Sequence, residues 1–387
     1  MSEIYTLYGS YASYYTAKVR AYLRKKGIAF EERLPSDPLF RNKVRPSSGS
    51  HRIPQLLAPQ GEVIQDSVEI VDFLEPRFPQ LPAFPDTPRQ RIFVHLLELF
   101  GSEGLVRLAW MHRWLFEDND FFVKMDFGRS FKPQGDDAEL DKYGNLIAQR
   151  MRSYGLPAST PQARAMLDEQ YRALLALFER RLIEHPYFLG GHPSAADYAV
   201  MGAMHAHLGR DPAGLRTMQD HAPRTFRWVE HMLVPEVVSP EFFSVPVAYP
   251  ADDLVPQTSL DILNFIAAEF GEALVLSCFA FDQAMERLAP EPGHVIDADH
   301  DQPTLPVEQV ELDGVVHECR ANLHGVWLAQ RAQSYFRAQS DDARAAILDM
   351  VGQGHARALL EAPLRYSLQR VQNRLALAAV PGSDRSS

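Results

Sequence analysis

Apolar residues come first in short runs separated by turn residues, then in long runs at helical spacing, with the change near residue 79. Residues 4–8 predict a strand. Residues 16–26 predict a helix, because Val19, Tyr22 and Leu23 return to one face every three or four positions. Gly27 supplies its stop, and a second strand follows at 28–33. A basic loop containing Pro and Ser covers 34–52. Short strands at 54–58 and 62–64 flank the turn Pro59-Gln60-Gly61, and a helix at 66–75 closes the set.

The order βαβ and then ββα builds one small sheet with parallel and antiparallel pairs, a thioredoxin-like arrangement in residues 1–78. Pro79, Pro82, Pro85 and Pro88 recur every third residue, which favours extended backbone and forbids a continuing helix, so 79–88 reads as a linker. Residues 89–234 then carry helical patterns and no strand pattern. Helices are predicted at 89–116, 142–154, 161–184, 194–208 and 223–233, with a loop containing Gly and Asp at 117–141. Residues 235–380 form a mostly helical extension. It opens with a Pro-rich passage to Pro256 and continues with a helix at 260–288 and a hairpin of 307–312 with 315–319 about Asp313-Gly314. Helices are predicted again at 322–339, 341–360 and 363–379. A polar tail, 381–387, is expected to be disordered.

With 387 residues, 46% hydrophobic and 23% charged, the chain has the composition of a water-soluble protein with two or three cores. Its formal charge of −11 disfavours a nucleic-acid partner, because such affinity comes from clustered Lys and Arg set against phosphates. The first residues lack the basic start and apolar run of a secretion signal, so a reducing, cytoplasmic setting is expected. Cys278 and Cys319 stand too far apart for a Cys-x-x-Cys redox pair and are too few for a four-cysteine zinc site. They read as free thiols, and no metal is expected. No apolar run approaches the roughly 20 residues of a membrane span.

The candidate chemistry lies in the segment LYGSYASYYTAKVRAYLRKKGI, residues 7–28, where a strand runs through a Ser- and Tyr-rich turn into a helix. Such a turn presents free N–H groups and the positive end of the helix dipole, so a thiol held beside it ionises more readily. Ser13 sits in the turn, where a serine also serves as a plain helix cap. The segment resembles the start of a glutathione S-transferase. Ser13 falls where the serine-type members of that family, such as the theta and zeta classes, carry their catalytic serine. FLGGHPSAADYAVMGAMHAHL, residues 188–208, resembles the family's core helix, with Ser194 and Asp197 as its capping box. The long extension is similar to that of a group of bacterial transferase-like proteins.

The resemblance implies glutathione as co-substrate and no metal. Ser13 is then the group that donates a hydrogen bond to the sulfur. Lowering a thiol pKa near ~8.5 by ~1 to 2 units takes roughly 1.4 to 2.7 kcal/mol, within reach of a charge-assisted hydrogen bond and a helix dipole. Tyr8 is the rival donor, with core packing as its alternative, while Tyr14 and Tyr15 are assigned to the pocket lining. No cysteine stands in the turn, which disfavours mixed-disulfide chemistry. Ile53-Pro54 resembles the family's cis-proline, whose preceding residue pairs with the tripeptide backbone.

Asp66-Ser67 resembles the pair that holds the γ-glutamyl end, and as a helix cap it would look the same. His51 and Arg52, with Arg41 and Lys43 more loosely, are candidates for the glycyl carboxylate; solvated surface charge is the alternative, and the favoured one for Arg41 and Lys43. Trp110 and Trp114, at helical spacing with Arg107 and Met111, are candidates for the electrophile pocket or for plain core. The implied activity is that of a glutathione transferase acting on a small hydrophobic electrophile, as a homodimer. The alternative is a non-catalytic binding or scaffold protein of the same fold.

Overall fold

The computed structural model describes residues 4–296 and 305–378. The tail assigned to 381–387 lies outside the described residues. Strand β1 (Tyr5–Tyr8), helix α1 (Tyr14–Lys25) and strand β2 (Phe30–Arg33) form the first unit. The expected loop 34–52 contains a π-helical turn, Phe40–Val44, and one turn of helix α2 (Arg45–Ser48). Strands β3 (Gln55–Leu57) and β4 (Val63–Gln65) and helix α3 (Ser67–Leu74) complete a four-stranded sheet of order β2-β1-β3-β4. β1 pairs parallel with β2 and antiparallel with β3, and β3 pairs antiparallel with β4, which is the predicted thioredoxin-like mixture. Val19, Tyr22 and Leu23 of α1 are buried as their spacing requires, and Gly27 adopts φ 63° at the helix end.

The helical half begins with α4 (Pro88–Leu99), with Pro88 in its first turn. The single helix predicted to run to 116 is interrupted by a π-helical turn at Phe100–Gly104 before α5 (Leu105–Leu115). The reason is packing. A Cβ on Gly101 would lie 3.3 Å from Val200 Cγ2, and one on Gly104 3.2 Å from Phe270 Cβ, so the glycines admit close neighbours.

The predicted loop at 117–141 is instead a 3-10 turn followed by α6 (Asp120–Phe131) and the start of α7 (Asp137–Ser153). Gly128, which falls in the predicted loop, and Gly144, inside the predicted helix 142–154, are the points where the two helices touch. A Cβ on either would sit 2.2 Å from a carbonyl of the other helix. Helices α8 (Pro161–Arg181) and α9 (Ala195–Met201) follow the predicted pattern, with a π-helical turn after α9. The capping box Ser194/Asp197 is formed. Helix α10 (Pro212–His221), not anticipated, precedes α11 (Pro223–Met232).

In the extension the predicted helix 260–288 is two helices, α12 (Gln257–Phe270) and α13 (Glu272–Leu288), bent by 60° at Gly271. Among the described residues no single helix is long and apolar enough to cross a membrane; this bent pair passes by length and composition alone, and much of it is core. The hairpin forms as β5 (Glu308–Leu312) and β6 (Val315–Cys319), with Asp313 and Gly314 both at positive φ. Helix α14 (Leu323–Arg337) is followed by a pair, α15 (Asp341–Val351) and α16 (His355–Glu361), divided where Gly352 and Gly354 take positive φ.

The largest departure is at 363–379, where a helix was expected. The chain forms the hairpin β7 (Leu368–Val371) and β8 (Arg374–Leu377), turning at Gln372 and Asn373, both at positive φ. Leu, Gln, Arg and Ala favour helix as isolated residues, and here the turn and the burial of Leu368, Leu375 and Leu377 outweigh that preference. One contiguous hydrophobic core contains residues from Tyr5 to Leu377. The extension is therefore packed onto the rest, with α12 against α8 and α14 and α15 against α4.

Candidate functional site

Ser13 is the N-cap of α1, in extended backbone (φ −83°, ψ 123°), and its Oγ accepts a hydrogen bond from Thr16 N at 3.3 Å. That bond uses a lone pair and leaves the hydroxyl proton free to be donated outward. Capping and thiol activation thus coexist at this residue. The side chain is half-buried. The approach of strand to helix is close, since a Cβ on Gly9 would lie 2.2 Å from Thr16 Cγ2.

Two buried guanidinium groups hold the turn, and the sequence reading identified neither. Arg20 donates to the Ser10 carbonyl at 3.1 Å while bound to both oxygens of Glu32 at 2.6 Å. Arg113, on α5, donates to the Ala12 carbonyl at 2.8 Å and pairs with Asp211 at 2.7 and 3.0 Å. Arg113 and Asp211 are almost entirely buried. The signal in the sequence was an arginine beside Trp114 in a helix whose other residues are mostly apolar, a position where a buried charge needs a partner.

The tyrosines of the turn are placed differently from expectation. Tyr8 is fully buried against Phe40, with ring centroids 5.2 Å apart, and has no surface to offer a thiol. Burial is the main cause that raises its phenol pKa. Tyr14 is buried, not pocket lining; its OH donates to the Gly101 carbonyl at 2.5 Å, which belongs to the π-helical turn. Tyr15 is half-buried and donates to Glu103 at 3.0 Å. Both phenols tie α1 to the helical half. Trp114 is also core, stacked on Phe127 at 5.9 Å, and Trp110 is partly buried between the same cluster and the main core.

A cleft of about 1070 Å³ opens between the 35–53 segment and the α6–α7 pair. Arg41, Arg45, His51, Ile53, Phe131 and Tyr143 are among its walls. His51 and Ile53 of the predicted set meet there, joined by Arg41 and by Arg45, which was missed. Arg52, Lys43, Ser13, Trp110 and Trp114 do not line it. The Ile53–Pro54 peptide bond is cis. Among the described residues no cluster of His, Cys, Asp and Glu is placed to hold a metal ion.

Asp66 and Ser67 stand at the start of α3, with Asp66 at φ 85° and its Oδ1 accepting from Val68 N at 2.8 Å. Side chains from the extension cover them. His324, on α14, bridges Asp66 Oδ2 at 3.0 Å and Glu103 Oε1 at 2.8 Å. Burial by itself lowers the His324 pKa, but the two carboxylates more than reverse this and push it up to about 10. Burial tends to raise Asp66 and Glu103, and the imidazolium outweighs it, so both carboxyls are held below their ordinary values. One helical turn further along α14 is Trp327, and another turn on, Arg331 pairs with Asp72 of α3 at 2.9 Å. Arg370, on β7, donates to Gln65 at 2.5 Å. None of these long-range partners was visible in the sequence, because the paired residues lie 221 to 305 positions apart.

A thioredoxin-like sheet joined to a helical half is the architecture that the resemblance to the glutathione S-transferases implies. The family model for the glutathione S-transferase N-terminal domain matches residues 7–82, and that for the C-terminal domain matches residues 161–231. Over those residues the chain carries both domains of the glutathione S-transferase family. Among solved structures, a glutathione S-transferase from Methylobacterium radiotolerans in complex with glutathione sulfonate is 22% identical, covering 65% of this chain and 100% of its own, with TM-score 0.36. A beta-etherase from Sphingobium sp. strain SYK-6 is 19% identical, covering 63% and 100%, with TM-score 0.43. A glutathione S-transferase from Rhodospirillum rubrum is 16% identical, covering 67% and 99%, with TM-score 0.38. No curated protein matches the sequence.

Proposed function

We propose that this chain is a cytoplasmic glutathione transferase that activates the glutathione thiol at Ser13 for attack on a hydrophobic electrophile. The observation that carries the reading is the Ser13 hydroxyl at the N-cap of α1, its proton uncommitted, in a turn held by Arg20 and Arg113. Bound glutathione supplies the nucleophile: a sulfur–carbon bond forms as the bond from carbon to its leaving group breaks, the leaving group keeping the electron pair and the thiol proton passing to solvent. Ser13 donates a hydrogen bond that favours thiolate over thiol, and the α1 dipole adds to it.

Ile53 offers backbone to the tripeptide. Arg41 and Arg45, with His51 among the same walls, give the cleft a cationic lining for the glycyl carboxylate. Conjugation by displacement, dehalogenation and ether cleavage share this step; isomerisation shares only the thiolate attack, in which the sulfur adds to an unsaturated carbon and is later expelled with its bonding electrons. A homodimer is part of the same reading, to be checked by sedimentation; α14 and α15 occupy one flank of α4, so two copies have to meet elsewhere.

The test is Ser13→Ala on the full chain. The thiolate absorbance of bound glutathione is titrated against pH, with turnover followed on a panel of electrophiles. Loss of one helix cap costs about 1 kcal/mol and leaves the fold intact. The expected result is a rise of ~1 to 2 units in the bound thiol pKa and a fall of roughly 10- to 100-fold in turnover at neutral pH. Glutathione binding with no turnover on any electrophile of the panel assigns the chain to the non-catalytic scaffold class, and turnover that is independent of Ser13 overturns the role given to that residue.

A further inference from the structure

The tip of α3 holds more hydrogen-bond donors than the protein itself satisfies. Ser67 is 1% exposed, and its Oγ has no partner. The Arg370 side chain is 10% exposed. Its Nη2 donates to Gln65 Oε1 at 2.5 Å and to the Asn373 carbonyl at 3.2 Å, and its Nη1 lies 4.0 Å from Asp66 Oδ2. The Arg370 Nε is buried without a partner, and the guanidinium sits over the Trp327 ring at 5.3 Å. A buried hydroxyl and a buried guanidinium N–H, both unpartnered, thus flank the positive end of an eight-residue helix. That arrangement calls for an anionic acceptor.

The surrounding charges select which anion. Asp66 and Glu103 stand beside the site with His324 between them, and Glu69 lies within the field of Arg370. A phosphate or sulfate would add charge against these carboxylates. A group bearing one carboxylate and one ammonium adds none, and its two halves find opposite partners within the same cluster. Resting on the glutathione reading above, we propose that Arg370 of the C-terminal hairpin, with Ser67, binds the α-carboxylate of the γ-glutamyl residue. The extension then supplies half of the amino-acid anchor that the N-terminal sheet begins. Arg370 is placed for this by the β7–β8 turn, where the Asn373 side chain also donates to the Ser48 carbonyl at 3.0 Å and ties the hairpin to the sheet domain.

The test is calorimetry on the full chain with glutathione and with 4-aminobutanoyl-Cys-Gly, which keeps the ammonium and lacks the α-carboxylate. Wild type is expected to bind glutathione about 10- to 100-fold more tightly than the analogue, the range for a buried charge-assisted contact. Arg370→Met is expected to lose that preference, weakening glutathione by the same factor while holding the analogue as wild type does. Arg370→Lys, which keeps the charge without the fork, should fall between the two and serves if the methionine variant does not fold. Equal wild-type affinity for the two ligands overturns the proposal. So does a variant that weakens both ligands alike, since that is a structural loss. Failure of wild type to bind glutathione at all is a different outcome, which removes the functional reading itself.

Discussion

Two helix N-termini, those of α1 and α3, carry the expected tripeptide site, and they are held in place by different parts of the chain. At α1 the turn is fixed from within the family's own two domains, by Arg20 and by Arg113 of α5. At α3 the partners are His324, Arg331 and Arg370, all from the extension. His324, Trp327 and Arg331 recur at helical spacing, so a single face of α14 runs along α3 from its tip to Asp72. The lesson of the contrast is that the N-terminus of α1 is held from within the two domains, whereas that of α3 is covered by side chains from about the last sixty residues.

The largest expected effect breaks the α1 side. Arg113→Met leaves Asp211 buried without its partner and removes the donor to the Ala12 carbonyl; uncompensated buried charges of this kind cost about 3 to 5 kcal/mol. Urea denaturation should show that loss, and a change under about 1 kcal/mol would mean that the pair does not anchor the turn.

His324→Gln is the matching experiment at α3. The histidine's pKa is raised to about 10, so its contribution is fully present below its ordinary value near 6.5 and is lost as pH rises through 10. Asp66 and Glu103 are shifted down, so their contributions hold above the ordinary carboxylate range and fade in acid. The stability gap between wild type and variant should therefore peak between about pH 5 and 6.5, at about 3 kcal/mol, and close toward pH 10. A gap that stays level from pH 6 to 10 would show that His324 is not the imidazolium joining the two carboxylates.

The smallest effect comes from Arg331→Met. Asp72 is 38% exposed, so this pair is worth about 1 kcal/mol or less. Its use is to sharpen the comparison. If α14 docks on α3 as a unit, Arg331→Met combined with His324→Gln should cost more or less than the sum of the two, and strict additivity would mean independent contacts.

Much of the fold was legible where sequence and structure obey the same local rule. The strands and helix of the first 75 residues, the Pro-rich linker, the Ser194 capping box and the Asp313-Gly314 turn all depend on neighbours within a few positions. Glycine is ambiguous in sequence, because its two uses read alike. Gly27 ends a helix through positive φ, whereas Gly128 and Gly144 lie inside helices that need close contact. The β7–β8 hairpin was misread as a helix for a related reason: its residues favour helix alone, and strand only once a core receives Leu368 and Leu377.

By itself the sequence determined the family's two domains and Ser13 as a capping hydroxyl at a helix start, since short-range periodicity and turn chemistry are written in adjacent residues. Only the tertiary structure decided that Tyr8 and Tyr14 are core, that Arg113 holds the serine's turn, and that His324 and Arg370 sit over Asp66 and Ser67. Those facts rest on charges brought within hydrogen-bond reach across hundreds of residues, and a buried charge carries no mark in the sequence of which distant partner neutralises it.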